Sequence, residues 1–303
     1  MIATVAAAVE GLASAAPANV SGLKILVSGA SIAGPALALW LARYGASVTV
    51  VEKAPTLRAG VHVTFAGTAP RTFDLVVGAD GIHSNVRRLA FGPGHVRFLG
   101  HYYALADLDI DGEGVTYNEP GRMVAVGGPK AQTFFVFASP ELSYDRYDAD
   151  QQKKLLIDAY RGGGWRIPEI LAKVPPSPDF YLDSISRVHI DDYAKGRVVL
   201  LGDAAYGNTL GGFGTGLAVV GAYVLAGELH RAGNDHLAAF RRYTELMRGY
   251  AKVNKNGNAG AFLAPRTKRG IRMRNLVFRR AALFGAMMWL TDRFATSIDL
   301  PEY

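Results

Sequence analysis

The sequence predicts a mixed α/β fold in which a parallel sheet is interrupted by an antiparallel-sheet domain and followed by a C-terminal helical arm. Three separated segments carry that reading: Lys24-Ile-Leu-Val-Ser-Gly-Ala-Ser-Ile-Ala-Gly34 leading to Glu52, Asp74-Leu-Val-Val-Gly-Ala-Asp-Gly81, and Arg197-Val-Val-Leu-Leu-Gly-Asp-Ala-Ala205 followed by Gly211-Gly-Phe-Gly-Thr-Gly216. Each ends a β-branched apolar run with small residues and an Asp or Glu, the pattern of parallel strand ends that meet phosphates and ribose hydroxyls. Together they read as a site for a large dinucleotide, a flavin above all.

Residues 1 to 21 are Ala-rich and hold no Lys or Arg, so they lack the charged start of a secretory signal and are expected to form a flexible tail. Leu23 to Val27 reads as a buried strand, Pro35 to Tyr44 as a helix ending at Gly45, and Ser47 to Val51 as the next strand, which makes a βαβ unit. Val61 to Phe65 and Arg71 to Val77 read as two strands around an Ala66-Gly67-Thr68 turn, the second delivering Asp80-Gly81. From Val96 to Tyr181 the texture becomes short strand-like runs separated by Gly, Pro, Asp and Asn, among them Tyr102 to Leu108, Arg122 to Val126 and Gln132 to Phe137. An antiparallel sheet follows from that spacing, with a helix over Ala149 to Arg161. Val198 to Leu201 returns the chain to the parallel sheet, Gly216 to Arg231 forms a long helix, and Ala238 to Tyr250 and Arg274 to Leu290 are the helical pieces of the arm. The expected domains are a nucleotide-binding domain split over 22–95 and 183–231, an inserted sheet domain over 96–182, and an arm over 232–303.

A chain of 303 residues, half of them apolar, can bury a large core. It has no Cys, which removes thiol nucleophiles, disulfides and thiolate metal sites and is compatible with a reducing cytoplasm. Its seven His, at 62, 83, 95, 101, 189, 230 and 236, form no ligand spacing, so no protein-bound metal is expected. The net charge of +7 is concentrated: no acidic residue lies between Glu245 and Asp292, a stretch holding Arg248, Lys252, Lys255, Arg266, Lys268, Arg269, Arg272, Arg274, Arg279 and Arg280. A solvated basic face is the plain reading, an anionic partner or membrane surface the other; no nucleic-acid motif accompanies it. The apolar run Ala281 to Leu290 falls well short of the ~20 residues that span a bilayer, so no transmembrane segment is expected.

In the first segment Gly29 permits a tight turn, Ser31 stands where a second glycine usually lets backbone approach a pyrophosphate, and Gly34 lets helix and strand pack closely. The helix start at Ile32 and Ala33 offers free N–H groups to phosphates. Glu52, 18 residues after Gly34 and followed by Lys53, places a carboxylate where it accepts from both hydroxyls of an adenosine ribose. Two rivals fail on the same turn. A nucleophile elbow needs Gly-x-Ser-x-Gly, but the fifth residue counted from Gly29 as the first is Ala33, and no Tyr is followed four residues on by the Lys of a short-chain dehydrogenase.

With Val77-Gly-Ala-Asp-Gly-Ile-His-Ser-Asn-Val-Arg87 and Gly202-Asp203 added, the sequence resembles the FAD-dependent aromatic hydroxylases, the monooxygenase family with the p-hydroxybenzoate hydroxylase fold that includes tetracycline-inactivating enzymes. The resemblance covers most of residues 22 to 303, including the ending Ile298-Asp-Leu-Pro-Glu-Tyr303. It implies a Rossmann-like FAD-binding domain with an inserted substrate domain, and FAD as cofactor. Glu52 then binds its ribose, Asp80-Gly81 shapes the turn near the pyrophosphate with Arg87 in support, and Asp203 meets the ribityl or pyrophosphate region. A helix N-cap is the alternative for Asp203. Gly214, Thr215 and Gly216 open a helix toward the isoalloxazine C2 carbonyl. It also implies NADPH or NADH as electron donor and O2 as co-substrate, giving a C4a-hydroperoxide that hydroxylates a small aromatic or polyketide-like molecule. Candidates for the apolar substrate wall are Tyr102, Tyr103, Phe134, Phe137 and Phe213, although ordinary core packing is the favoured role for each. No catalytic side chain is named, because the cofactor carries the chemistry.

The chain departs from the family in one place. Glu52 and Asp80 are only 28 residues apart, which reads as an internal deletion after Gly60, and Asn208-Thr209-Leu210 replaces a usual Pro. Three functions stay open on the sequence: a working hydroxylase, a flavin-binding remnant with little turnover, and a flavoprotein reductase. A homo-oligomer is compatible with all three.

Overall fold

The computed structural model describes residues 2–4, 20–51, 56–58, 62–65, 68–110, 112–127, 132–233, 235–254, 257–280 and 299–303. In chain order its elements are β1 (Ile2–Thr4), β2 (Lys24–Ser28), α1 (Ala33–Arg43), β3 (Ser47–Val51), β4 (Thr56–Arg58), β5 (His62–Phe65), β6 (Thr68–Thr72), β7 (Leu75–Gly78) and α2 (Asn85–Phe91). There follow β8 (Val96–Ala106), β9 (Val115–Glu119), β10 (Arg122–Val126), β11 (Thr133–Ala138), α3 (Ala149–Tyr160), α4 (Ile167–Ala172), β12 (Phe180–Val188), β13 (Ala194–Lys195) and β14 (Val198–Leu200). The chain then runs through α5 (Asp203–Tyr206), α6 (Gly214–Ala232), α7 (His236–Tyr250), a 3-10 turn (Ala251–Asn254), α8 (Ala259–Leu263) and α9 (Lys268–Arg279). Two compact units result: residues 1–97, 186–257 and 295–303, and residues 98–185 with 258–294.

In the first unit a six-stranded sheet runs β1-β3-β2-β7-β14-β13, with β3, β2, β7 and β14 parallel and β1 and β13 antiparallel at its edges. Its middle strands are apolar almost without interruption, as strands covered on both faces must be. Ile25, Val27, Val76, Val77, Val199 and Leu200 have no solvent exposure. α1 packs on α6, and α6 on α7. Three buried tyrosines brace the end of β14: Tyr243 donates to the Leu200 carbonyl at 3.0 Å, Tyr206 to the Leu217 carbonyl at 3.1 Å, and Tyr193 packs edge-on against both. A three-stranded antiparallel sheet, β4-β5-β6, completes the unit.

The second unit holds a five-stranded sheet, β12-β8-β11-β10-β9, in which the β8, β11, β10 and β9 pairings are antiparallel. α3 and α4 cover one face, burying Leu156, Tyr160, Ile167 and Ile170 against Tyr102, Ala104, Phe135 and Phe137. The other face carries Met123, Val136, Ile185 and Ala264, with Tyr103, Phe134 and Leu263 half-buried around them.

Four expectations are corrected here. Arg71 to Val77 is two strands, because β6 pairs with β5 while β7 joins β2; the chain breaks at Phe73-Asp74, where Asp74 accepts from the Lys24 N–H at 2.7 Å. Within the expected tail, Ile2–Thr4 pairs with the open edge of β3, where unpaired N–H and C=O groups invite another strand. The arm over 232–303 is not one piece. α7 belongs to the first unit through its packing on α6, and α8 and α9 belong to the second. Finally, the helix expected over Arg274 to Leu290 starts earlier, at Lys268, because Thr267 caps it, accepting from the Gly270 N–H at 3.1 Å. Residues 281–290 lie outside the described residues.

Candidate functional site

The ends of β2, β7 and β14 open onto one cleft of about 260 Å³, lined by Gly29, Ser31, Ile32, Ala33, Ala79, Asp80, Gly81, Asp203, Gly214, Thr215 and Ala218. All belong to the first unit. The volume lies below the roughly 300–1,000 Å³ of pockets that enclose a whole small ligand, so the cleft has the size of a subsite.

Its floor exists because of two glycines. Gly29 has φ of 113°, and a Cβ there would stand 2.2 Å from the Ala79 carbonyl oxygen; a Cβ on Gly34 would stand 1.9 Å from the Gly29 oxygen. Only hydrogen fits at either place, so β2 turns tightly into α1 and the turn lies against the end of β7.

Two helix N-termini open into this cleft without a side-chain cap. α1 starts at Ile32 and α6 at Phe213, neither with a capping side chain or an acidic residue in the first turn. Of the other helices, α2, α3, α7, α8 and α9 start on Ser84, Asp148, Asp235, Asn258 and Thr267, each accepting from a first-turn N–H, while the short α4 and α5 also lack a side-chain cap. The four N–H groups at a helix start need partners. Here those of the two cleft helices lie toward open space, with the positive ends of both dipoles.

Asp80 and Asp203 play different parts. Asp80 accepts from the N–H groups of Asn85 at 2.8 Å and Val86 at 3.1 Å, and from the Ser84 hydroxyl. Its carboxylate is occupied in starting α2, so it contributes to the cleft through the shape of its turn. Asp203 is the first residue of α5 and does not cap it; that position belongs to Gly202. Its carboxylate has no hydrogen-bond partner among the described residues and lies beside the start of α6, where a Cβ on Gly214 would be 3.4 Å from its Oδ1. Its tip reaches solvent, yet protein surrounds the cleft floor, and that desolvation raises its pKa above the ordinary carboxylate value.

Arg87 ties the two acidic turns together from behind. It is 3% exposed, and its guanidinium donates to the Ala204 carbonyl at 2.8 Å and the Ile82 carbonyl at 2.5 Å. Burial lowers its pKa, and the Asp80 carboxylate opposes that shift.

Of the residues singled out from the sequence, Gly29, Ser31, Ile32, Ala33, Asp80, Gly81, Asp203, Gly214 and Thr215 line the cleft. Gly34 and Arg87 are buried behind it, Gly202 packs against Ala33, and Gly216 sits in the open first turn of α6. Glu52 and Lys53 lie outside the described residues. Ala79 and Ala218 also line it and were not named. Ala79 precedes Asp80, and Ala218 stands one turn beyond Gly214, so helical spacing could have found it.

The aromatic wall divides by strand parity. Tyr102 and Phe137 are each 2% exposed and stack at 5.7 Å inside the core under α3, the packing role favoured for them, which corrects only their candidacy for a substrate wall. Tyr103 and Phe134 point to the opposite face, 6.3 Å apart, and are joined there by Tyr181, 5.8 Å from Tyr103. Tyr181, 48% exposed, was not named from the sequence. Phe213, half-buried, is the residue before α6 and packs on the core of the first unit. Among the described residues no cluster of His, Asp and Glu is arranged to hold a metal, and no helix is long and apolar enough to cross a membrane.

No protein-family model matches the chain. It is 36% identical over 208 residues to a flavin-dependent monooxygenase of Legionella longbeachae serogroup 1 (strain NSW150), an alignment covering 64% of this chain and 53% of the relative. It is 35% identical over 260 residues to a flavin-dependent monooxygenase of an unknown prokaryotic organism, covering 80% and 65%. Among solved structures, tetracycline destructase Tet(51) superposes with a TM-score of 0.76 at 25% identity over 93% of this chain and 99% of that one. The chain spans about half the length of the first curated relatives it matches. The chain is a homologue of the flavin-dependent monooxygenases and has the fold of the FAD-dependent aromatic hydroxylases.

Proposed function

We propose that the chain is an FAD-dependent monooxygenase that takes electrons from NADPH or NADH and hydroxylates a small aromatic or polyketide-like molecule with O2. The observation that carries this reading is the convergence of two uncapped helix N-termini and one unpartnered carboxylate on a single cleft. That donor set suits a diphosphate with a polyol beside it. The N–H groups of Ser31, Ile32 and Ala33 would hold phosphate oxygens, and Asp203 would accept from a ribityl hydroxyl. The start of α6 at Gly214, Thr215 and Gly216 would stabilise negative charge on the flavin ring. Glu52 serves the adenosine ribose. Bound FAD would supply the redox and oxygen chemistry, for which the chain provides orientation and shelter from water. On this reading Tyr103, Phe134 and Tyr181, grouped on one face of the second unit's sheet, are the aromatic residues that would meet an apolar ring.

The test is NAD(P)H oxidation by the FAD-loaded protein, with and without phenolic or polyketide compounds, in air and under argon. Stimulation by an aromatic compound, together with an oxygenated product, is expected. Oxidation that ignores both the aromatic and O2 would assign a reductase, and an FAD-loaded protein inert to every donor would assign a flavin-binding remnant, the reading that the short interval from Glu52 to Asp80 favours.

Asp203 offers a sharper check. Its folded pKa is raised, so its charged form is disfavoured in the fold, and the resulting loss of stability sets in as pH rises from the unfolded carboxylate value through the folded one. Asp203→Asn removes that penalty. The variant without flavin is expected to be at least as stable as the parent at neutral pH, with any gain vanishing in acid, while its FAD affinity falls about tenfold or more, as loss of a charge-assisted hydrogen bond requires. Thermal melts across pH and FAD titrations read the two effects separately.

A further inference from the structure

α9 presents five cations to solvent. Lys268, Arg269, Arg272, Arg279 and, at its C-cap, Arg280 are exposed, and between them stand Met273 and Leu276, 65% and 44% exposed. At about 100° per residue these seven side chains share one arc of about 140°. The opposite side is secured within its own unit: Arg274 donates to the Leu263 carbonyl at 2.7 Å and to Asn118 Oδ1 at 2.9 Å, while Ile271 and Val277 are half-buried. None of the five cations pairs with a carboxylate among the described residues, and no acidic residue occurs from Leu246 to Thr291 to neutralise them. Lys268 and Arg272 are like charges four apart, which weakens a helix unless an external anion compensates.

The mixture selects among anionic surfaces. A nucleic-acid backbone would reward the cations and gain nothing from an exposed Met and Leu. A peptide groove needs a continuous apolar stripe, and here Arg269, Arg272 and Arg280 break it up. Cations that flank a pair of long apolar side chains one turn apart match the boundary between lipid headgroups and acyl chains. We propose that the exposed face of α9 docks on an anionic bilayer surface, its guanidinium groups on lipid phosphates and Met273 and Leu276 reaching below them. Each cation near such a surface strengthens binding about fivefold. The inference is independent of the flavin reading.

Co-sedimentation of the full chain with vesicles tests it. Binding is expected to vesicles of phosphatidylcholine with phosphatidylglycerol, at least about tenfold weaker to phosphatidylcholine alone, and to fall as salt screens the cations. Lys268→Glu with Arg272→Glu is expected to abolish it. Met273→Ser with Leu276→Ser keeps every charge and is expected to weaken it about tenfold; all four sites are exposed, so unchanged thermal midpoints confirm that both variants fold. Equal binding to neutral and anionic vesicles, parental binding by the Met273/Leu276 variant, or equally tight binding to duplex DNA would each overturn the proposal.

Discussion

Gly34→Ala is expected to yield a protein that cannot retain FAD and is destabilised by about 3 kcal/mol, the scale of a severe steric change in a packed interior. The reason is local. A Cβ at this position would overlap the Gly29 carbonyl oxygen at 1.9 Å and press on Val27 Cγ1 at 3.2 Å, so the turn from β2 into α1 has to open. Opening it shifts the first N–H groups of α1 and moves Gly29 off Ala79, which disturbs two sides of the cleft at once. Gly249→Ala, in α7 and outside the cleft lining, is the control. Nothing lies within 4 Å of a Cβ there, so the change is expected to be neutral or to stabilise α7 by up to about 1 kcal/mol, because alanine loses less freedom than glycine in a helix. Parallel denaturant melts and flavin-retention assays on the two variants separate the role of the turn from a general intolerance of added bulk.

Arg87→Met is expected to cost about 2–4 kcal/mol and to weaken FAD binding without touching the cleft surface. Met fills much of the volume but leaves the Ala204 and Ile82 carbonyls without their buried, charged donor. It also takes away the cation beside Asp80, whose carboxylate organises the start of α2. The turns carrying Asp80 and Asp203 then lose their common tie. Arg87→Lys is expected to recover only part of the loss, since one ammonium cannot span two carbonyls as a planar guanidinium does. If flavin affinity stays at the parental value while stability falls, Arg87 serves the fold alone.

Much of this architecture was legible in the residues because burial on both faces of the parallel sheet leaves an apolar run that composition reveals directly. Ser47–Val51 and Arg122–Val126 match their expected limits residue for residue. The break at Phe73-Asp74 was not legible, since it depends on β6 and β7 choosing different partners. The site divides in the same way. Gly29, Ser31 and Gly214 declare themselves through small size at a strand or helix end. The difference between Asp80 and Asp203 does not: both follow glycine-rich strand ends, and only the arrangement of Ser84, Asn85 and Val86 shows that one carboxylate is occupied and the other open. Likewise Tyr102 and Tyr103 are adjacent aromatics on one strand. Which of them meets the core is decided by the face that α3 covers, a long-range fact.

Titrating the purified full chain with FAD, followed by quenching of flavin fluorescence, addresses the central claim, that the cleft between the starts of α1 and α6 is a flavin site. Saturable binding at one FAD per chain that Gly34→Ala and Asp203→Asn weaken and Gly249→Ala leaves intact is the expected result. Absence of saturable binding, or binding that none of the three substitutions alters, would contradict it.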